Sequence, residues 1–176
     1  ADSPGLAFHG DDEALSRQGR VSYFEPVTLW AALSAVTKHI GFVATASTTY
    51  EDPYLLARKF ASLDHLSKGR AAWNVVTTGA DNVYGNFGLD KHPDPAIRYE
   101  QAHEFIDVAK GLWDSFEDDA FARDPASGTY FDPAKLHTLN HVGKYFKVSG
   151  PLNLERPPQG YPVIVQAGSS EPGREL

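Results

Sequence analysis

One stretch constrains the fold more than any other: Ile40–Thr78, IGFVATASTTYEDPYLLARKFASLDHLSKGRAAWNVVTT. Ile40–Ala46 and Ala71–Thr77 are short apolar runs rich in β-branched residues, the pattern of buried strands. Between them Asp52 suits an N-cap and Pro53 the first helical position, where a missing N–H costs nothing. Gly69 suits the left-handed residue that closes a helix, and Leu56, Phe60 and Leu63 recur on one face. The stretch therefore predicts a strand, a helix over Pro53–Ser67 and a second strand. Two strands joined by a crossover helix of this length pair in parallel. Thr45, Ser47, Thr48 and Asn74 then fall at or near the strand ends, on the carboxyl edge where α/β sheets bind ligands. Asn74 interrupts the apolar run AAWNVV, where an unpaired amide is costly. It either bonds its neighbours or faces a ligand.

The rest of the chain extends this unit. Ala1–Tyr23 shows no periodicity and predicts a long loop, and Phe24–His39 predicts a helix with Val27, Trp30, Leu33, Val36 and Ile40 in its stripe. Thr78–Pro95 predicts an irregular loop, and Ala96–Glu117 the longest helix. Residues 118–160 read as an insertion in a single domain spanning 1–176, with a short strand in KYFKVSG. Tyr161–Ala167 predicts a buried strand and GSSEPGREL a helix start. Such alternation of helix and strand indicates an α/β fold with a parallel sheet. The chain holds no methionine and stops as a helix begins, so it reads as a piece of a longer chain.

Composition removes several function classes. A net charge of −7 argues against a nucleic-acid partner, which needs clustered Lys and Arg. No run approaches the ~18 apolar residues of a membrane span. With no cysteine there is no disulfide, thiolate nucleophile or Cys-type metal site, which fits a cytoplasmic protein. His103-Glu104 lacks the second histidine of HExxH, and His137 and His141 have no third ligand nearby. No dinucleotide fingerprint, P-loop or GxSxG elbow occurs, and no residue takes a catalytic role on these grounds. Ser169 and Ser170 follow a strand and precede a helix, so they can hold a phosphate or act only as an N-cap, with Arg174 adding charge in the first turn. Tyr99 reads by pattern as core, and Asp2 as a solvated terminal aspartate.

Taken together, FEPVTLWAALSAVTKHIGFVATASTTYEDPYLLARKFASLDHLSKGRAAWNVVTT, IRYEQAHEFIDVAKGLWDSFEDDAF and FKVSGPLNLERPPQGYPVIVQAGSS resemble the bacterial-luciferase-like flavin monooxygenases, in the branch of the nitrilotriacetate, EDTA and dibenzothiophene-sulfone enzymes. The resemblance implies a (β/α)8 TIM barrel with insertions, here an incomplete barrel, since a full one needs at least ~200 residues. It implies binding of reduced FMN at the carboxyl end. Asp2, Thr45, Asn74, Tyr99, Ser169 and Ser170 match the cofactor-binding positions, the two serines holding the phosphate. Relatives often carry a histidine where this chain has Pro95, and His92 stands nearby. The implied reaction is oxygenation of a small organic substrate (aminopolycarboxylate, organosulfur compound or alkane) by O2 through a C4a-(hydro)peroxyflavin. A separate NAD(P)H:flavin reductase would supply FMNH2, and the protein would be a homo-oligomer. Phe8, Tyr23, Tyr50, Tyr84 and Phe87 are substrate-side candidates. The alternatives are a flavin-binding protein without oxygenase activity and an F420-dependent oxidoreductase on the same barrel.

Overall fold

The computed structural model describes residues 4–5, 12–19, 21–80, 83–168 and 170–176. Its helices are α1 (Asp12–Leu15), α2 (Pro26–Ser34), α3 (Pro53–Ser67), α4 (Pro95–Trp113) and α5 (Glu171–Glu175). Its strands are β1 (Phe42–Ser47), β2 (Ala71–Val76), β3 (His141–Val142), β4 (Lys147–Val148) and β5 (Val163–Val165). Single 3-10 turns cover Tyr84–Phe87 and Pro133–Lys135.

β1, β2 and β5 form one parallel sheet in that order, with Thr45 level with Asn74 and Asn74 level with Val165. Because side chains alternate along a strand, the register sorts them onto two faces. Phe42, Ala44, Trp73 and Val75 point to the helices and are buried. Trp73 lies between Phe60 of α3 and Phe105 of α4, each ring centroid 5.8 Å away. Leu56, Ala57, Ala109 and Trp113 complete this layer. The opposite face carries Val43, Thr45, Asn74, Val163 and Val165, and its valines are 38–52% exposed. Helices thus cover one side of the sheet and leave the other bare.

Each of the three indoles ties two elements together. Trp30 on α2 donates to the Val43 carbonyl, Trp73 on β2 to that of Ala46, and Trp113 on α4 to that of Ala57. Asp64, fully buried near the end of α3, accepts from Ala71 N, Gln159 N and Gln159 Nε2. That one carboxylate joins the start of β2 to the segment leading into β5.

Two predicted helices are shorter than their periodicity suggests. α2 stops at Ser34, where the Ser34 and Thr37 hydroxyls take the carbonyls of Ala31 and Leu33. Arg70 then captures the carbonyls of Ser34, Thr37 and Ile40 (2.7–3.1 Å), which a longer helix would use internally. Leu33, Val36 and Ile40 are consequently exposed, by 37%, 78% and 59%. α4 stops at Trp113 because Ser115 Oγ donates to Leu112 O and accepts from Leu152 N, while Phe116 bridges to Leu136. The predicted loop over residues 1–23 contains α1, a single turn that buries Leu15. Within 118–160, the predicted strand is β4, paired antiparallel with β3. This hairpin docks on α4 through Glu104, which accepts from Lys144 N, Tyr145 N and Phe146 N (2.8–3.1 Å) and meets His141 Nε2 at 3.0 Å. No described helix is long and apolar enough to cross a membrane.

Candidate functional site

At the carboxyl edge of the sheet, Asn74 Nδ2 donates to Thr45 Oγ1 at 3.0 Å. The two polar residues flagged in the strands therefore satisfy each other across the β1–β2 ladder, on the bare face. Beyond them the chain is latched. Thr78 donates from its hydroxyl to Ser47 Oγ (2.7 Å), and Thr49 to the Thr77 carbonyl (2.8 Å). Thr78 has φ +42°, an uncommon conformation for a β-branched residue.

Arg98, in the first turn of α4 and only 8% exposed, holds that conformation. Its guanidinium donates to the carbonyls of Thr77 (2.8 Å), Thr78 (2.7 Å) and Pro93 (3.1 Å). No carboxylate pairs with it among the described residues. α4 begins at Pro95 with Asp94 as its cap, so proline at this position is a helix start and needs no N–H.

This scaffold shapes a cleft of about 350 Å³ between the ends of β2 and β5. Thr77, Thr78, Tyr99, Gln166 and Gly168 supply its polar groups, and Val75, Val76 and Ala167 its apolar wall. Among the described residues, no acidic side chain lines it. Tyr99, half-buried, stands 3.5 Å by its hydroxyl from Ser170 Oγ. Ser170 caps α5 by accepting from Gly173 N. The turn is tight: a Cβ at Gly168 would lie 3.0 Å from Gly173 Cα, and one at Gly173 would lie 3.0 Å from Ser170 Oγ and 3.3 Å from Tyr99 Oη. Gly173 thus keeps the two hydroxyls clear, and Gly168 lets the backbone after β5 approach it. A smaller pocket of about 90 Å³ adjoins it at the end of β1, sharing Val76 and Thr78 and adding Thr45, Ser47, Tyr50 and Phe87.

The structure brings Thr45 to Asn74 and Tyr99 to Ser170, with Tyr99 lining the cleft rather than the core. Asp2, Phe8 and Ser169 lie outside the described residues. Of the substrate-side candidates, Tyr50 and Phe87 line the smaller pocket, and Tyr23 lines a groove at the outer edge of β1 with Trp30 and Val43. His92 bonds Tyr50, its Nδ1 2.6 Å from the hydroxyl. Sequence reasoning missed Arg98, the Thr77–Thr78 carbonyls and Gln166. A basic residue one position before Tyr99 was the only visible signal, and an arginine in a first helical turn ordinarily faces water.

Residues 8–176 match the family model described as luciferase-like monooxygenase. Nitrilotriacetate monooxygenase component A of Aminobacter aminovorans is 59% identical over 152 residues, which is 86% of this chain and 34% of that protein. A crystal structure of a long-chain alkane monooxygenase superposes with a TM-score of 0.92 at 45% identity, covering 99% of this chain and 41% of that one. A riboflavin lyase solved with modified FMN and riboflavin superposes at 0.88 and 42% identity, covering 98% of this chain and 38% of that one. The chain thus spans 34–41% of the length of these three relatives, and its sheet is an arc of their TIM barrel.

Proposed function

Because the chain belongs to the luciferase-like monooxygenase family, we propose that it carries the FMN-binding edge of an FMNH2-dependent monooxygenase. One observation supports this most. A cleft at the carboxyl ends of parallel strands is lined by hydroxyls, an amide and apolar groups, with no carboxylate among its described lining residues and a buried guanidinium behind it. That donor set suits an anionic phosphoester attached to a largely apolar ring system, and the volume lies in the range of small-molecule sites.

The Tyr99 and Ser170 hydroxyls, kept clear by Gly173, would hold the phosphate together with Ser169. Thr45 and Asn74, with Asp2, would meet the ring. Arg98 orients the Thr77–Thr78 backbone beside both and adds positive charge. When bound, reduced FMN would supply the electrons that activate O2 to place one oxygen atom in the substrate. The apolar walls from Val75, Val76 and Ala167 exclude water from that space. A separate NAD(P)H:flavin reductase would deliver FMNH2, which fits a chain without a dinucleotide fingerprint and a relative named as component A. A cytoplasmic homo-oligomer acting on a small aminopolycarboxylate, organosulfur compound or alkane completes the proposal.

Anaerobic titration of the full-length protein with FMNH2, followed by air, tests it. Tight binding with reoxidation slower than that of free FMNH2 is expected. Reoxidation as fast as in solution would favour a flavin-binding protein without oxygenase activity. Absence of binding would end the proposal. Tyr99→Phe should weaken FMN about tenfold and riboflavin far less, since only FMN carries the phosphate and a charge-assisted bond contributes about 1.5–3 kcal/mol.

A further inference from the structure

At the β1 side of the cleft, three side chains form a unit that flavin binding leaves unused. Tyr50 lies in the loop after β1, and Phe87 and His92 lie between β2 and α4. The Tyr50 ring stacks on Phe87, with centroids 4.4 Å apart and planes 17° apart. Its hydroxyl is 2.6 Å from His92 Nδ1. Both rings line the smaller pocket with Thr45, Ser47 and Thr78.

The direction of the Tyr50–His92 bond follows from the other ring nitrogen. His92 Nε2 is buried and has no partner among the described residues. A neutral imidazole carries its hydrogen on one nitrogen only. Were it on Nε2, an N–H donor would be buried without an acceptor, which native structures avoid more strictly than an unused acceptor. The hydrogen therefore belongs on Nδ1, which donates to the phenol oxygen. The phenol hydrogen is then unspent.

We propose that Tyr50, held from behind by His92 and flat by Phe87, donates a hydrogen bond to a neutral acceptor oxygen of the organic substrate, such as a sulfone or carbonyl oxygen. Burial pushes the Tyr50 hydroxyl above its ordinary pKa, against an opposing pull from Arg98, so it remains a phenol. The preference for a neutral acceptor comes from charge. Glu25 and Glu51 line the same pocket. Burial raises the pKa of Glu25, but its bonds from Thr28 and Val27 outweigh that and keep it an anion. Glu51 is paired with Lys59 at 3.0 Å, so Glu25 is the carboxylate that an anionic substrate group would meet. The inference rests on reading the cleft as an oxygenase site, and it narrows the substrate towards oxygen-bearing neutral compounds and away from polycarboxylates.

Two probes small enough for a pocket of about 90 Å³ separate the idea from its premise: dimethyl sulfone, with two acceptor oxygens, and dimethyl sulfide, with none. Their affinities are measured on the full-length, FMN-loaded protein, with FMN affinity followed in parallel. The sulfone is expected to bind about fivefold to tenfold more tightly, the worth of one neutral hydrogen bond. Tyr50→Phe, which keeps the stack, should abolish that ratio. His92→Asn, whose amide can replace the Nδ1–H donor, should preserve it, and His92→Leu should not. FMN affinity should stay constant throughout. Nitrogen-15 spectra of the His92 ring should show hydrogen on Nδ1. Equal binding of both probes, binding of neither, a ratio that survives Tyr50→Phe, or hydrogen on Nε2 would each overturn the proposal. Loss of FMN binding by the unmodified protein would instead remove the flavin reading on which it stands.

Discussion

Arg98 shows how one buried side chain can set a ligand edge without touching the chemistry. Its guanidinium meets three backbone carbonyls and forces Thr78 through a positive φ. Arg98→Ala would leave those carbonyls facing a void, at a cost of about 1–3 kcal/mol each where water cannot reach. Thermal unfolding should show a loss of that order, and FMN affinity should fall with it. Arg98→Lys should recover part of the stability but not the simultaneous contacts to Pro93 and to Thr77 and Thr78, because an ammonium lacks the planar spread of Nε and Nη1. At this scale the sequence was legible where periodicity placed a residue. Thr45 and Asn74 follow from the alternation of two strands and their parallel register. Arg98 does not, because burial of a charge depends on carbonyls brought to it from another element.

Among the elements, the β3–β4 hairpin is held by a single carboxylate. Glu104 is raised by burial, yet the bonds from His141, Phe146 and Tyr145 hold it below its ordinary pKa. A depressed carboxylate stabilises the folded state above its unfolded pKa, and the contribution is lost as pH falls through the lower, folded value. The protection factors of the Lys144, Tyr145 and Phe146 amides, which are corrected for the slower intrinsic exchange in acid, should therefore fall on acidification below ~4, the ordinary range for glutamate, while those of β1 and β2 stay high. Glu104→Gln should loosen the same three amides at neutral pH by about 1–2 kcal/mol, since hydrogen bonds to an ion exceed those to a neutral amide by about that much. Helix α3 was readable to the residue because Asp52, Pro53 and Gly69 punctuate it locally. Helix α2 was not, because its end is decided by Arg70 on the far side of α3. Two-residue strands such as β3 carry no period to read.

At the scale of the whole molecule, the valines of one sheet face are exposed, and among the described residues β1 and β5 are the outer strands of the sheet. Unpaired edges beside an apolar face invite association. The 176-residue chain by itself should bind an apolar dye and self-associate with rising concentration, as read by light scattering. A dye-silent monomer at ~100 μM, where a 1 μM association would be saturated, would contradict this. The placement of the tryptophans turns that exposure into something observable. Trp73 and Trp113 are sealed to within 1% of full burial, so their fluorescence should redden only when the chain unfolds. Trp30 sits instead at the outer edge of β1, against Phe42 on one side and lining a groove with Tyr23, Val43 and Thr45 on the other. Its emission should respond to whatever comes to cover that side. The molecule thus carries its own optical gauge, two indoles answering to melting and one to the closing of the barrel wall.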